Sequence, residues 1–142
     1  MARVTIDLPE EFGFETEIPI RISDINYGGH LGNDSVLAVV HEARVRYLNH
    51  LGFSEKDVGG CGIIMADAAI VFRSEGFHGQ TLRCEVAFVQ EGRSSCEAFY
   101  RISDADDGRE VAICKTGIVF FDYERRRPTR IPDAFKEKAG LG

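Results

Sequence analysis

Groups able to move protons gather in one short stretch, DINYGGHLGNDSVLAVVHEAR, residues 24–44. Asp24, Asn26 and His30 stand there among Gly28, Gly29 and Gly32, just before a strongly apolar run. A carboxylate or an imidazole can take a proton from water. Histidine suits that task near neutrality, since its ordinary pKa is about 6.5. An amide cannot act as a base, but it can position a water or a carbonyl by hydrogen bonding. The bland alternatives are a turn-stabilising Asp24, an Asx-type contact at Asn26 and a histidine that merely ties the turn down. If the chain is still extended at 24–26, Asp24 and Asn26 share a face, and Asp24 can take the carboxylate role or orient His30.

Other charged residues compete for attention. Glu42 lies in the apolar segment and has Arg46 four residues on, the spacing of an ordinary helical ion pair. Arg125, Arg126, Arg127 and Arg130 form the one concentrated basic run of an acidic chain. They suit either phosphate recognition or a solvated turn. Asp67 interrupts an apolar strand, where it faces a subunit interface, a substrate tunnel or the polar side of an ordinary sheet. His41, His50 and His78 have no metal-ligand spacing and are expected to be partly exposed. Cys61, Cys84, Cys96 and Cys114 include no C-x-x-C pair. They read as reduced core or surface thiols of a cytoplasmic protein, with no metal site.

These groups need elements to position them. From Asp34 to Leu51 apolar residues fall at 36, 37, 40, 43, 47, 48 and 51, the spacing of one helical face. Ala38 and Val39 widen that stripe, so the first half of the helix is expected to be buried nearly all round. Asn33 or Asp34 is the expected N-cap and Gly52 the stop. Strands are expected over 14–23, 63–75, 81–92, 94–108 and 110–122, separated by turn chemistry such as Asp106-Asp107-Gly108. A short last helix begins near Pro132, placed in its first turn. One strand, one long helix and then four long strands favour an α+β fold with an antiparallel sheet curved around the helix.

Composition narrows the classes. The 142 residues suit a single domain, 1–142, and are 44% hydrophobic and 28% charged, as in ordinary globular proteins. A net charge of −6 argues against nucleic acid as the partner. No apolar run reaches membrane-spanning length, and the first residues do not read as a secretory signal.

The order of elements, with IPIRISDINYGGHLGNDSVL before EARVRYLNHLG and then IIMADAAIVFRSEGFHGQTLRCEV, resembles the hot-dog fold. The chain is similar to acyl-CoA thioesterases of the 4-hydroxybenzoyl-CoA thioesterase-like family. That family shows R-x-x-D-x-D-x-x-G-H-x-x-N at the turn, matched here by Arg21, Asp24, Asn26, Gly29, His30 and Asn33. The resemblance implies hydrolysis of an acyl-CoA or acyl-carrier-protein thioester, with coenzyme A as part of the substrate and no other cofactor. It also implies a homo-oligomer, dimer or tetramer, with each site shared between chains. The N–H of Asn33 at the helix start would hold the oxyanion, and Gly28, Gly29 and Gly32 would let the backbone approach the acyl group. Asn26 stands where the family usually has its catalytic Asp. His30 then becomes the leading base, at the place where plant acyl-carrier-protein thioesterases carry a histidine. Glu42 matches the helix carboxylate used by some hot-dog enzymes, and the arginine run would bind the phosphates of coenzyme A. Two alternatives remain. One is a non-catalytic acyl-thioester-binding protein. The other is an enoyl-thioester hydratase, although D-x-N-x-x-H is here one residue too long.

Overall fold

The computed structural model describes residues 3–141. Alternating side chains make β1, Phe14–Pro19, which stops at a residue with no N–H to give to a ladder. Ile22–Asp24 then closes as a 3-10 turn. The Asp24 carboxylate accepts hydrogen bonds from the Arg21 N–H at 2.8 Å and from its guanidinium at 3.3 Å. These bonds compensate its burial. The expectation of an extended chain with Asp24 and Asn26 on one face is therefore overturned.

The long helix α1 spans Asn33–His50. Its N-cap is Gly32, not Asn33 or Asp34. A Cβ at Gly32 would stand 2.7 Å from Asp34 Oδ1, so a side chain there would have to displace the Asp34 carboxylate. Asn33 Oδ1 accepts the next N–H, that of Asp34, at 2.8 Å. Val36, Val39, Val40, Ala43, Tyr47 and Leu48 are buried, whereas Leu37 is 41% exposed and Ala38 is exposed too. The first half of the helix is thus open on one side, contrary to its apolar composition, because no element of this chain covers it.

The remaining strands are β2 (Gly62–Phe72), β3 (Thr81–Gln90), β4 (Ser95–Asp104), β5 (Glu110–Asp122) and the short β6 (Arg127–Pro128). All pairings are antiparallel, in the order β1-β3-β4-β5-β2, with β6 on β5. The β4–β5 turn forms as its sequence suggests: Asp104 Oδ1 accepts the N–H groups of Asp106 and Asp107. The sheet packs its inner face on α1, which is the hot-dog arrangement. Cys84, Cys96 and Cys114 lie in this core, where burial pushes their thiols up to about 12, 12 and 11. The final helix α2, Asp133–Ala139, has Pro132 as its N-cap rather than inside its first turn. It anchors by Phe135, whose ring lies 5.2 Å from those of both Phe88 and Phe120.

The outer face of the sheet is charged. Arg101 sits between Glu85 and Glu110 at 3.7 and 3.4 Å. Lys115 sits between Glu97 and Asp67 at 3.0 and 3.5 Å. Asp67 also accepts the Gly117 N–H at 2.9 Å, at the point where the β2–β5 register shifts. Strand β2 pairs on one side only and leaves its other edge open.

Candidate active site

The glycine turn folds around Asn26. Its side-chain oxygen accepts the N–H of Gly28 at 2.9 Å and that of His30 at 3.4 Å. Its backbone oxygen accepts the Gly29 N–H at 3.0 Å. Gly29 has φ +85°, a conformation that side chains resist. The turn is then tied to the connection after β2, because the Leu31 N–H donates to Gly76 O at 2.7 Å. Two segments far apart in sequence thus border one open cavity of about 570 Å³.

Asn26, His30, Leu31 and Asn33 line it from the turn, and Phe72, Arg73, Ser74 and Glu75 line it from the end of β2. Asn33 is the first residue of α1, so its N–H has no acceptor one turn back and stands at the positive end of the helix. His30 Nε2 lies 3.9 Å from Glu75 Oε1. Arg73 is engaged by Glu110 at 3.3 Å. The cavity therefore holds an imidazole, a carboxylate, an amide and a helix N-terminus, which together can move a proton and stabilise an oxyanion. Spacing gave no cue to Glu75: it comes 45 residues after His30 and sits in a string that reads as the end of a strand.

The other candidates lie elsewhere. Asp24 and Glu42 line a separate cleft of about 240 Å³ with Arg21 and Arg46. Glu42 accepts from Arg46 Nε at 2.7 Å, the helical pair its spacing suggests. Arg46 also donates to Thr16 Oγ1 and Glu17 O, both at 2.8 Å, and so fastens α1 to β1. Arg125, Arg127 and Arg130 line a third hollow of about 450 Å³, joined by Arg93, which the sequence reading did not include. Arg126 is exposed and occupies the left-handed position of the β5–β6 turn, at φ 56°. Gly28 and Gly29 shape the turn without lining the cavity. His50 and His78 are exposed, and His41 pairs with Glu55 at 2.7 Å. Among the described residues no group of three or more His, Cys, Asp or Glu is placed to hold a metal, and no helix is long and apolar enough to cross a membrane.

Solved structures share this fold. A 1,4-dihydroxy-2-naphthoyl-CoA thioesterase from Synechocystis superimposes with a TM-score of 0.83 at 21% identity, over 89% of this chain and 95% of that one. A thioesterase from Thermus thermophilus, complexed with coenzyme A and Zn, gives 0.76 at 21% identity over 91% and 98%. The 12:0-ACP thioesterase from Umbellularia californica gives 0.74 at 16% identity, over 89% of this chain and 52% of that one. No curated protein matches the chain by sequence. The profile of the Thioesterase-like superfamily matches residues 20–139, the turn, α1 and the whole of β2 to α2 included. The chain is a member of the thioesterase-like superfamily.

Proposed function

We propose that this single-domain chain hydrolyses an acyl-CoA thioester, with His30 as the base. The observation that carries the reading is the convergence of His30, Glu75 and the free N–H of Asn33 on one cavity. Glu75, 3.9 Å from Nε2, favours the imidazolium by its charge, and Nδ1 takes a proton from water. The water oxygen bonds the carbonyl carbon, and the carbonyl oxygen accepts the Asn33 N–H as it gains charge. Collapse breaks the C–S bond, and the imidazolium returns its proton to the departing thiolate. The products are the free acid and the thiol of coenzyme A. Asn26 braces the turn and offers its amide N–H to the substrate. Asp24 and Glu42, held by Arg21 and Arg46 outside the cavity, take no step.

A two-fold homodimer completes the site in this reading. β2 spans ten residue steps, about 33 Å, from Gly62 to Phe72. The arginine hollow lies beyond its Gly62 end and the His30 cavity at its Phe72 end. One chain's arginines are therefore remote from its own cavity. Antiparallel pairing of two open β2 edges brings one chain's Arg125, Arg127 and Arg130 toward its partner's cavity, where they receive the phosphates of coenzyme A. A solved relative of the same fold carrying coenzyme A supports that ligand. The four unpaired cysteines fit a cytoplasmic setting.

The amide at position 26 favours one second reading, acyl-thioester binding without hydrolysis. The decisive experiment incubates the protein with a panel of acyl-CoAs and a thiol reagent. Thiol release that falls in His30→Ala supports the enzyme. Saturable binding with no release supports the second reading and removes the first.

A further inference from the structure

The open side of α1 stands apart from β2, and the space between them leads away from the cavity as a groove. Asn33, Leu37, His41 and Arg44 follow one another on the same helical face. Leu37 is 41% exposed and His41 is exposed, whereas Arg44 is 5% exposed, so this face passes from open to closed within three turns. Register identifies what lies opposite. Phe72, Ile70, Ala68 and Met65 of β2 pair with Ala112, Cys114, Thr116 and Ile118, all buried on the side of the sheet that holds α1. Partners across a ladder share a face, so these four β2 residues face the helix side too. Phe72, Ala68 and Met65 are exposed and make an apolar floor that begins in the His30 cavity.

The groove has an end. Glu55, from the connection between α1 and β2, accepts from Arg44 Nε at 2.8 Å and bonds His41 Nε2 at 2.7 Å. Its backbone oxygen accepts the Ile63 N–H, which fixes it over the start of β2. Behind it Arg44 Nη1 donates to the Tyr100 hydroxyl at 3.1 Å, and Tyr100 bonds Thr116, the residue opposite Ala68, at 2.9 Å. A chain of five polar groups thus crosses an otherwise apolar groove.

We propose that the His41–Glu55–Arg44 clasp is a ruler that makes the enzyme selective for medium-length aliphatic acyl groups. The inference rests on the thioesterase reading for the position of the carbonyl. From Asn33 to His41 is eight residues, about 12 Å of helix. From Phe72 to Ala68 is four residues, about 13 Å of strand. With carbon–carbon bonds near 1.5 Å, and about 1.3 Å of advance per methylene, either length holds roughly ten carbons. Methylenes within the groove leave water and gain affinity. A longer chain must either part the Arg44–Glu55 ion pair or turn back into solvent, and gains nothing from its extra carbons.

The test measures both Kd and kcat/KM for straight-chain acyl-CoAs from four to sixteen carbons. Affinity should rise about fourfold per added methylene up to roughly ten carbons and then level or fall. Ala68→Leu raises the floor at the clasp and should move the break to shorter chains. His41→Ala, at an exposed position, loosens the clasp and should move it to longer ones. A steady rise to sixteen carbons, or breaks unmoved in both variants, overturns the ruler. If Ala68→Leu does not fold, His41→Ala decides alone. Binding that shows the break without any thiol release keeps the ruler and removes the hydrolase. Release with no break does the reverse.

Discussion

At the scale of residues, the glycine turn is held together by Asn26, whose oxygen already accepts two backbone N–H groups. An aspartate there can accept the same two and present its second oxygen in place of the amide. A negative charge near the start of α1 is stabilised by up to about 1 kcal/mol. Asn26→Asp should therefore fold normally. If His30 is the proposed base, His30→Ala should lower turnover at least about 100-fold, the low end for loss of a general base. Glu75→Gln keeps the shape and loses the charge that holds the imidazolium, so it should lower kcat by roughly tenfold with little change in KM. Asn26→Asp should restore hydrolysis most strongly in the His30→Ala background, where a carboxylate replaces the missing base. Steady-state thiol release across these four proteins checks each step. Equal rates in wild type and His30→Ala would return the histidine to a structural role.

At the scale of elements, the long-range pieces were legible because their signals are periodic. The 3,4 spacing marks α1 to within one residue, and the Val/Ile/Phe runs mark four of the strands. What was not legible depends on contacts between distant segments. Asp24 turns away to Arg21 because β1 ends early, and Glu75 reaches His30 only because Leu31 is bonded to Gly76. Apolar composition alone could not tell which side of α1 stays open. The buried side of Arg44 was likewise invisible, since an arginine in a helix reads as surface. Burial works to discharge its guanidinium, and its interactions with Tyr100 and Glu55 outweigh that. Burial also works to protonate Glu55, but the bonds from Arg44 and His41 hold its carboxyl below the usual range. The sign follows. A carboxyl whose folded pKa is depressed contributes stability that is full above its unfolded pKa and is lost as pH falls through the folded value. Glu55→Gln should cost about 2 kcal/mol at neutral pH, the scale of a hydrogen bond to a charged group. Thermal melts should show a deficit of roughly 5 °C at pH 7 that closes as the pH falls below about 4. A deficit that persists unchanged in acid would mean that Glu55 acts by packing rather than by charge.

At the scale of the whole molecule, the charge of −6 is unevenly spread, and the spread has a use. Opposite charges interleave on the outer face of the sheet, where exposed pairs add little stability but keep that face wet. The arginine hollow and the open β2 edge are the exceptions, and the apolar side chains Ile64, Met65 and Phe72 lie exposed along that edge. An open strand with exposed apolar residues calls for a cover. In the proposed homodimer a two-fold pair of β2 strands supplies one, and it assigns each site residues from both chains. Subunit mixing tests this directly. His30→Ala alone lacks the proposed base. A second protein with Arg125, Arg127 and Arg130 all replaced by alanine keeps His30 and should bind coenzyme A thioesters weakly. When both are mixed and allowed to exchange, a mixed dimer carries both defects in one site and none in the other. Random exchange makes half the dimers mixed, so about a quarter of all sites become intact. Measured at low substrate, kcat/KM should rise toward that fraction of the wild-type value, well above the sum of the unmixed proteins. If exchange is verified by mass and activity stays at the simple average, the arginines serve their own chain's site or none, and the shared-site dimer is wrong.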